Sequence, residues 1–143
     1  LTANSEAGKK APMAVFVRTL AWCWASPNTL VGLLLAVLCG ARPRWHEGVI
    51  EAQGRGLEKL LGHRAQAITL GHVILARDVA LLEFHRDHER RHVRQYECLG
   101  PFFLPVYLTI GAWVWLRGGR PYRDHPLEIQ AGLDRNPTGR RTG

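Results

Sequence analysis

The chain offers little sulfur chemistry: three cysteines, Cys23, Cys39 and Cys98, and one methionine, Met13, in 143 residues. An odd cysteine count without paired spacing argues against a disulfide framework and against a thiolate zinc site, and leaves buried free thiols as the reading. Also missing are an internal repeat, a Gly-rich loop that could cradle phosphates and a Ser-His-Asp pattern, which removes solenoids, nucleotide-binding motifs of that kind and serine hydrolases. Acid is scarce as well. Twelve Asp and Glu stand against 19 Lys and Arg, a net charge of +7, and such a balance points toward nucleic acid or anionic lipid. A nucleic-acid reader would show a recognisable module or an aromatic stacking platform beside its basic patch; none is visible, and lipid is preferred.

No uninterrupted apolar run reaches the roughly 20 residues that a simple membrane span needs. Ala14 to Ala41 is broken by Ser26-Pro27-Asn28, where Asn28 or Thr29 can cap a helix through Leu30 to Cys39, and Pro101 to Leu116 is interrupted by Pro105. Five tryptophans, at 22, 24, 45, 113 and 115, sit at the edges of these stretches, as a membrane interface selects. Two such short helices can lie in an interface, form a re-entrant pair or serve as core. A domain of this size has too little else to enclose two helices that are apolar nearly all round, and this favours membrane association. Lys9, Lys10 and Arg18 precede the first stretch, Arg42 and Arg44 follow it, and Arg117, Arg120 and Arg123 follow the second. That symmetry favours a monotopic or hairpin arrangement with both flanks on the cytoplasmic face. Residues 1–13 read as a flexible arm and 135–143 as a disordered tail, leaving 14–134 as one domain. The amino end is not a complete secretory signal, because Arg18 interrupts the apolar run.

What is present centres on His88-Glu89-Arg90-Arg91-His92, an HExxH sequence within a segment, Asp78 to Leu99, that reads as one helix. Residues four apart lie on one helix face, so the imidazoles of His88 and His92 can converge on one tetrahedral metal ion, Zn2+ for these ligand types. Glu89 stands beside that point, where its carboxylate can take a proton from a water acidified by the ion. From this composition the pattern arises by chance about once in fifty such chains. The alternative is a charged helix with solvated histidines. Stepping by three and four from Leu81 gives His85, His88, His92, Gln95 or Tyr96, and Leu99, whereas Arg86, Arg90 and Arg94 fall mainly opposite, and this pattern favours a buried site. Those arginines could face lipid phosphates.

Upstream, Gly48 to Gly54 and Ala65 to Ala76 carry β-branched residues in partial alternation and predict two or three short strands, with Leu57 to Leu61 as a further strand or a helical turn. Downstream, Pro126 suits the first turn of a helix to about Leu133.

His88 to Glu97, then Gly100-Pro101 and an apolar run, with Asp124 to Ala131 beyond, resemble small bacterial proteins of the zincin type, gluzincin branch. The resemblance covers roughly residues 66 to 131. It implies an α+β fold, a minimal zincin-like domain with a small antiparallel sheet, an HExxH helix and two short apolar helices. It also implies three metal ligands, His88, His92 and Glu128, the last in a Glu-x-x-Ala context. On the residues alone Glu128 is equally a surface glutamate in a first helical turn, and His125 and Asp124 compete as ligands. His85 is expected in packing or in support of the site. A metzincin is set aside, since no histidine follows His92 at the short spacing required. By the same resemblance, the strand Ile68 to Leu75 is the edge that would hold a peptide or protein substrate by strand addition. His72 on it faces the site as an electrophile or orienting group, or else is a half-exposed strand histidine. Tyr96 and Tyr122 are candidate donors to an oxyanion. The expected function is a membrane-associated zinc metallopeptidase with Glu89 as proton acceptor; the alternative is a non-catalytic membrane protein that binds metal or serves assembly.

Overall fold

The structure, a computed structural model, describes residues 3–62 and 65–133, with side chains from residue 15 onward. The chain runs through helix α1 (Ala3–Leu38), strands β1 (Arg44–His46) and β2 (Val49–Gln53), and helix α2 (Arg55–Leu61). It continues through strands β3 (Ala67–Leu70) and β4 (Val73–Ala76), helix α3 (Val79–Leu99), a 3-10 turn (Gly100–Phe102) and helices α4 (Phe103–Leu116) and α5 (Pro126–Gln130). Residues 3–13 belong to α1; the tail 135–143 lies outside the described residues.

Ser26-Pro27-Asn28 does not break α1. Pro27 has no N–H for the Cys23 carbonyl one turn back, and the Ser26 hydroxyl donates to that oxygen instead, at 2.7 Å. The two residues expected to cap a new helix are tertiary ties. Asn28 Nδ2 donates to the Gly100 carbonyl at 3.1 Å, and Thr29 Oγ1 donates to Ala25 O while accepting from the His72 amide, both at 3.0 Å. Continuity changes the membrane reading: Val15–Leu38 supplies 24 residues of mean hydropathy 1.5. A second helical run, Val79–Leu116, meets the same test over its apolar part, so two helical stretches are long and apolar enough to cross a membrane.

α1 has a small flank and a large one. Ala25, Gly32 and Ala36 face the protein, and a Cβ on Gly32 would lie 2.8 Å from Val73 Cβ, so the backbone presses on the β3–β4 hairpin. Phe16, Leu20, Leu30, Leu34 and Val37 are exposed on the outer flank. Cys23 and Cys98 are exposed and Cys39 is partly buried, against the expectation of buried thiols.

The sheet is mixed rather than antiparallel, in the order β1-β2-β4-β3. β1 and β2 form a hairpin whose turn, Glu47-Gly48, has positive φ at both residues, as a two-residue turn matched to strand twist requires. After β2 the chain makes α2, which resolves the Leu57 to Leu61 alternative as helix, and returns as the β3–β4 hairpin with β4 parallel to β2. That connection is long enough for a parallel crossover. The strand expected over Ile68 to Leu75 is therefore two strands: Gly71, at φ +61°, turns the chain, and a Cβ there would collide with Thr29 Oγ1. All four residues of β4 are fully buried, which fits a central strand covered on both faces. Val73 and Leu75 pack with Ala36 and Leu57, while Ile74 and Ala76 pack with Leu82 and Val93 of α3.

Candidate metal centre

α3 follows its predicted bounds. Asp78 caps it, accepting from the Leu81 amide at 2.9 Å, and Gly100 ends it at φ +55°. The inward face of α3 carries Leu82, Glu89, His92, Val93, Gln95 and Tyr96, all buried. α5 starts at Pro126 as expected but closes at Gln130, because the last residues of the expected helix form a turn.

The two helices bring three ligand atoms together. His88 Nε2 and His92 Nε2 are 3.1 Å apart, Glu128 Oε2 lies 3.1 Å from His88 Nε2, and Glu128 Oε1 lies 3.4 Å from His92 Nε2. These three residues could hold a metal ion. The surrounding bonds turn the ligand lone pairs inward. His88 Nδ1 donates to the Ala131 carbonyl at 3.1 Å and His92 Nδ1 to Gln95 Oε1 at 2.8 Å, which leaves each Nε2 free to ligate. Gln95 is itself oriented: its Nε2 donates to Leu127 O at 3.0 Å and Gln130 Oε1 at 2.8 Å, so its oxygen must face His92. Glu128 Oε2 is buried with no hydrogen-bond partner. Burial works against ionisation of Glu128, but protons on the His88 and His92 Nε2 atoms, in the absence of an ion, and the Tyr107 hydroxyl, which donates to Oε1 at 2.5 Å, outweigh it and hold the carboxyl well below its usual range. A buried carboxylate facing two imidazole lone pairs calls for positive charge, and a divalent cation supplies it to all three atoms at once. The donor set of two imidazoles and one carboxylate fits zinc with a position left open.

The competing ligands are occupied elsewhere. His125 is fully buried, but its Nε2 donates to Tyr107 O at 2.9 Å and its Nδ1 accepts from the Leu127 amide at 3.2 Å. Asp124 pairs with Arg120, and both are exposed.

Glu89 is buried beside the three, and its Oε2 accepts from Thr69 Oγ1 of β3 at 2.7 Å. Both border a cavity of about 620 Å³, together with His88, His92, Glu128, residues 65–70, and Tyr96, Phe103, Leu104, Tyr107 and Tyr122. His85 also lines it, its Nε2 hydrogen-bonded to Gln66 Oε1 at 2.6 Å. The Tyr96 hydroxyl is buried without a partner, and burial pushes the Tyr122 phenol up to about 12, so it keeps its proton at neutral pH.

His72 does not border this cavity. It lies in the β3–β4 turn, stacked on Trp22 at 4.0 Å with Nε2 donating to Glu97 at 3.2 Å. Arg86 and Arg90 turn away from the metal ligands as expected, but toward protein, and Arg91 reaches the carbonyl that His88 also uses. Arg86 forks onto Glu51, Arg90 pairs with Glu47 at 3.0 Å, and Arg91 donates to Ala131 O at 2.9 Å; Arg94 is exposed. Sequence reasoning passed over Thr69, Gln95 as a hydrogen-bond partner of His92, and Tyr107. Only Gln95 left a trace, by lying on the histidine stripe. Comparison of the chain with protein-family models, with curated proteins and with solved structures finds no match.

Proposed function

We propose that the protein is a membrane-associated, zinc-dependent peptidase of gluzincin type. The observation that carries this reading is the convergence of His88, His92 and Glu128, with the outer Nδ1 of each histidine already hydrogen-bonded, next to a buried glutamate in an open cavity. Zinc held by these three residues supplies a Lewis acid that acidifies water and polarises a carbonyl. The chain's own residues do the rest. Glu89, steadied by Thr69, takes the proton of the attacking water and returns it to the leaving amine. Tyr122, protonated and in the cavity wall, donates to the developing oxyanion.

β3 is an edge strand and forms one wall of the cavity. Leu70 and Val73 flank a two-residue turn and the Arg77 amide donates to Gln66 O; by antiparallel alternation Ala67 and Thr69 then present their backbone groups to the open side, where an extended peptide can add. Exposed apolar flanks on α1 and α4 support attachment to a membrane. The chain between α1 and α3 carries Arg42, Arg44, Arg55, Lys59 and Arg77, and Arg117, Arg120 and Arg123 follow α4; basic residues on both flanks support a hairpin with these segments on the cytoplasmic side.

Elemental analysis of purified protein tests the reading. About one zinc per chain is expected, lost in His92→Ala and weakened in Glu128→Ala. A folded wild type that takes up no metal when zinc is offered would overturn it.

A further inference from the structure

A second hollow, of about 380 Å³, is lined by Tyr107, Leu108, Gly111, Ala112, Trp115 and Tyr122. Tyr107 and Tyr122 also line the metal cavity, so these two rings border both spaces. Positions 104, 107, 108, 111, 112 and 115 recur at three- and four-residue steps and form one face of α4. Leu104 lies in the metal cavity, and the face runs outward from there to Trp115. From Tyr107 to Trp115 it extends about 12 Å, the length of about four residues of extended chain. The side-chain hydroxyls stand at the tyrosine end next to the metal ligands; beyond it the lining is leucine, glycine, alanine, proline and the tryptophan ring. Leu108, Ala112 and Trp115 are exposed, so the floor is open along its length.

We propose that this groove receives the substrate itself: a polypeptide that has, on one side of the scissile bond, a run of about four apolar residues, as a membrane-derived segment does. The proposal rests on the peptidase reading of the metal centre and narrows its substrate class. The two tyrosines shared with the metal cavity, and the single face of α4 that carries Leu104 in one space and Trp115 in the other, favour this occupant over an acyl chain. A chain held along β3 with its scissile amide at Glu89 can continue onto α4 without leaving an apolar wall, whereas lipid would fill the groove with no relation to the metal centre.

The test separates groove from chemistry. Full-length, zinc-loaded Glu89→Gln protein in detergent micelles is titrated with a fluorescein-labelled polar peptide, and with the same peptide extended by a leucine-alanine tail on one side or the other. One tailed peptide is expected to bind tighter by about tenfold or more. That gain is lost in Ala112→Phe, which fills the groove, and kept in Thr109→Phe, on another face of α4. Equal binding of tailed and untailed peptides, or a gain that survives Ala112→Phe undiminished, would overturn the proposal and assign the tail's effect to the micelle. Turnover by the wild type is then read separately. Tail preference without cleavage overturns the peptidase reading and leaves the groove as a binding site, and cleavage without tail preference does the reverse.

Discussion

Gln95 accepts a hydrogen bond from His92, three residues earlier on the same helix, at 2.8 Å, and it cannot turn its amide round because Leu127 and Gln130 take its two protons. Gln95→Leu removes this acceptor and frees the ring. Zinc affinity is expected to fall about tenfold to a hundredfold, measured by competition with a chromophoric chelator. An unaltered affinity in Gln95→Leu would remove Gln95 from the site.

Glu89→Gln keeps the zinc and loses the proton acceptor. Peptide hydrolysis is expected to fall by roughly 10²- to 10⁴-fold with metal content unchanged. Thr69→Val, nearly isosteric, leaves the Glu89 carboxylate unheld and lowers kcat roughly tenfold, the kinetic equivalent of one hydrogen bond, with little change in KM. Steady-state kinetics beside elemental analysis reads both.

His125 and Glu128 are separated by the same assay. His125→Ala leaves the Leu127 amide without its side-chain partner and removes the extra donor on the Tyr107 carbonyl. It is expected to cost ~1–3 kcal/mol of stability, seen as a lower Tm, with zinc retained. Glu128→Ala is expected to do the opposite in metal content. Zinc lost from His125→Ala and kept in Glu128→Ala would exchange their roles.

His72 predicts a pH dependence of stability. Burial lowers its pKa from the ordinary 6.5, the hydrogen bond and charge of Glu97 work against that, and Arg18 adds to the lowering. The unfolded chain therefore takes up this proton before the folded one. The contribution is complete above 6.5 and is lost as pH falls through the folded value. Melting curves of wild type and His72→Gln through the acid range check this: the wild type should lose Tm more steeply below that point. Parallel slopes would mean that the imidazole is not held neutral.

The histidine stripe, the bounds of α3 and the start of α5 could be read from residues alone, because each is written in a short-range pattern: helical steps, an Asp cap, a Pro at a first turn. The nearness of Glu128 to the histidines comes only from the resemblance, since on the residues alone it is equally a surface glutamate. What escaped depends on partners far along the chain. Pro27 looks like a terminator until the Ser26 hydroxyl takes up the Cys23 carbonyl, and Asn28 looks like a cap until Gly100 is beside it. The run from Ala65 to Ala76 reads as one strand because its apolar residues continue through Gly71; the close approach of Thr29 forces the turn there. His72, placed by sequence on a substrate-facing strand, goes with that turn and packs on Trp22. Parallel pairing of β2 with β4 leaves no local mark at all.

Five residues are too few to hold a helix in water, and α5 has only five. Its order comes from outside: the Gln95 amide on Leu127 O, Arg91 and His88 on Ala131 O, and whatever joins Glu128 to the imidazoles. Under the zinc reading, each tenfold rise of free metal above its dissociation constant adds ~1.4 kcal/mol to the docked state. That increment is concentrated on one short segment rather than spread over the sheet. On that reading the carboxyl-terminal side of the cavity would report metal supply, seated when zinc is abundant and the first part to loosen when it is scarce.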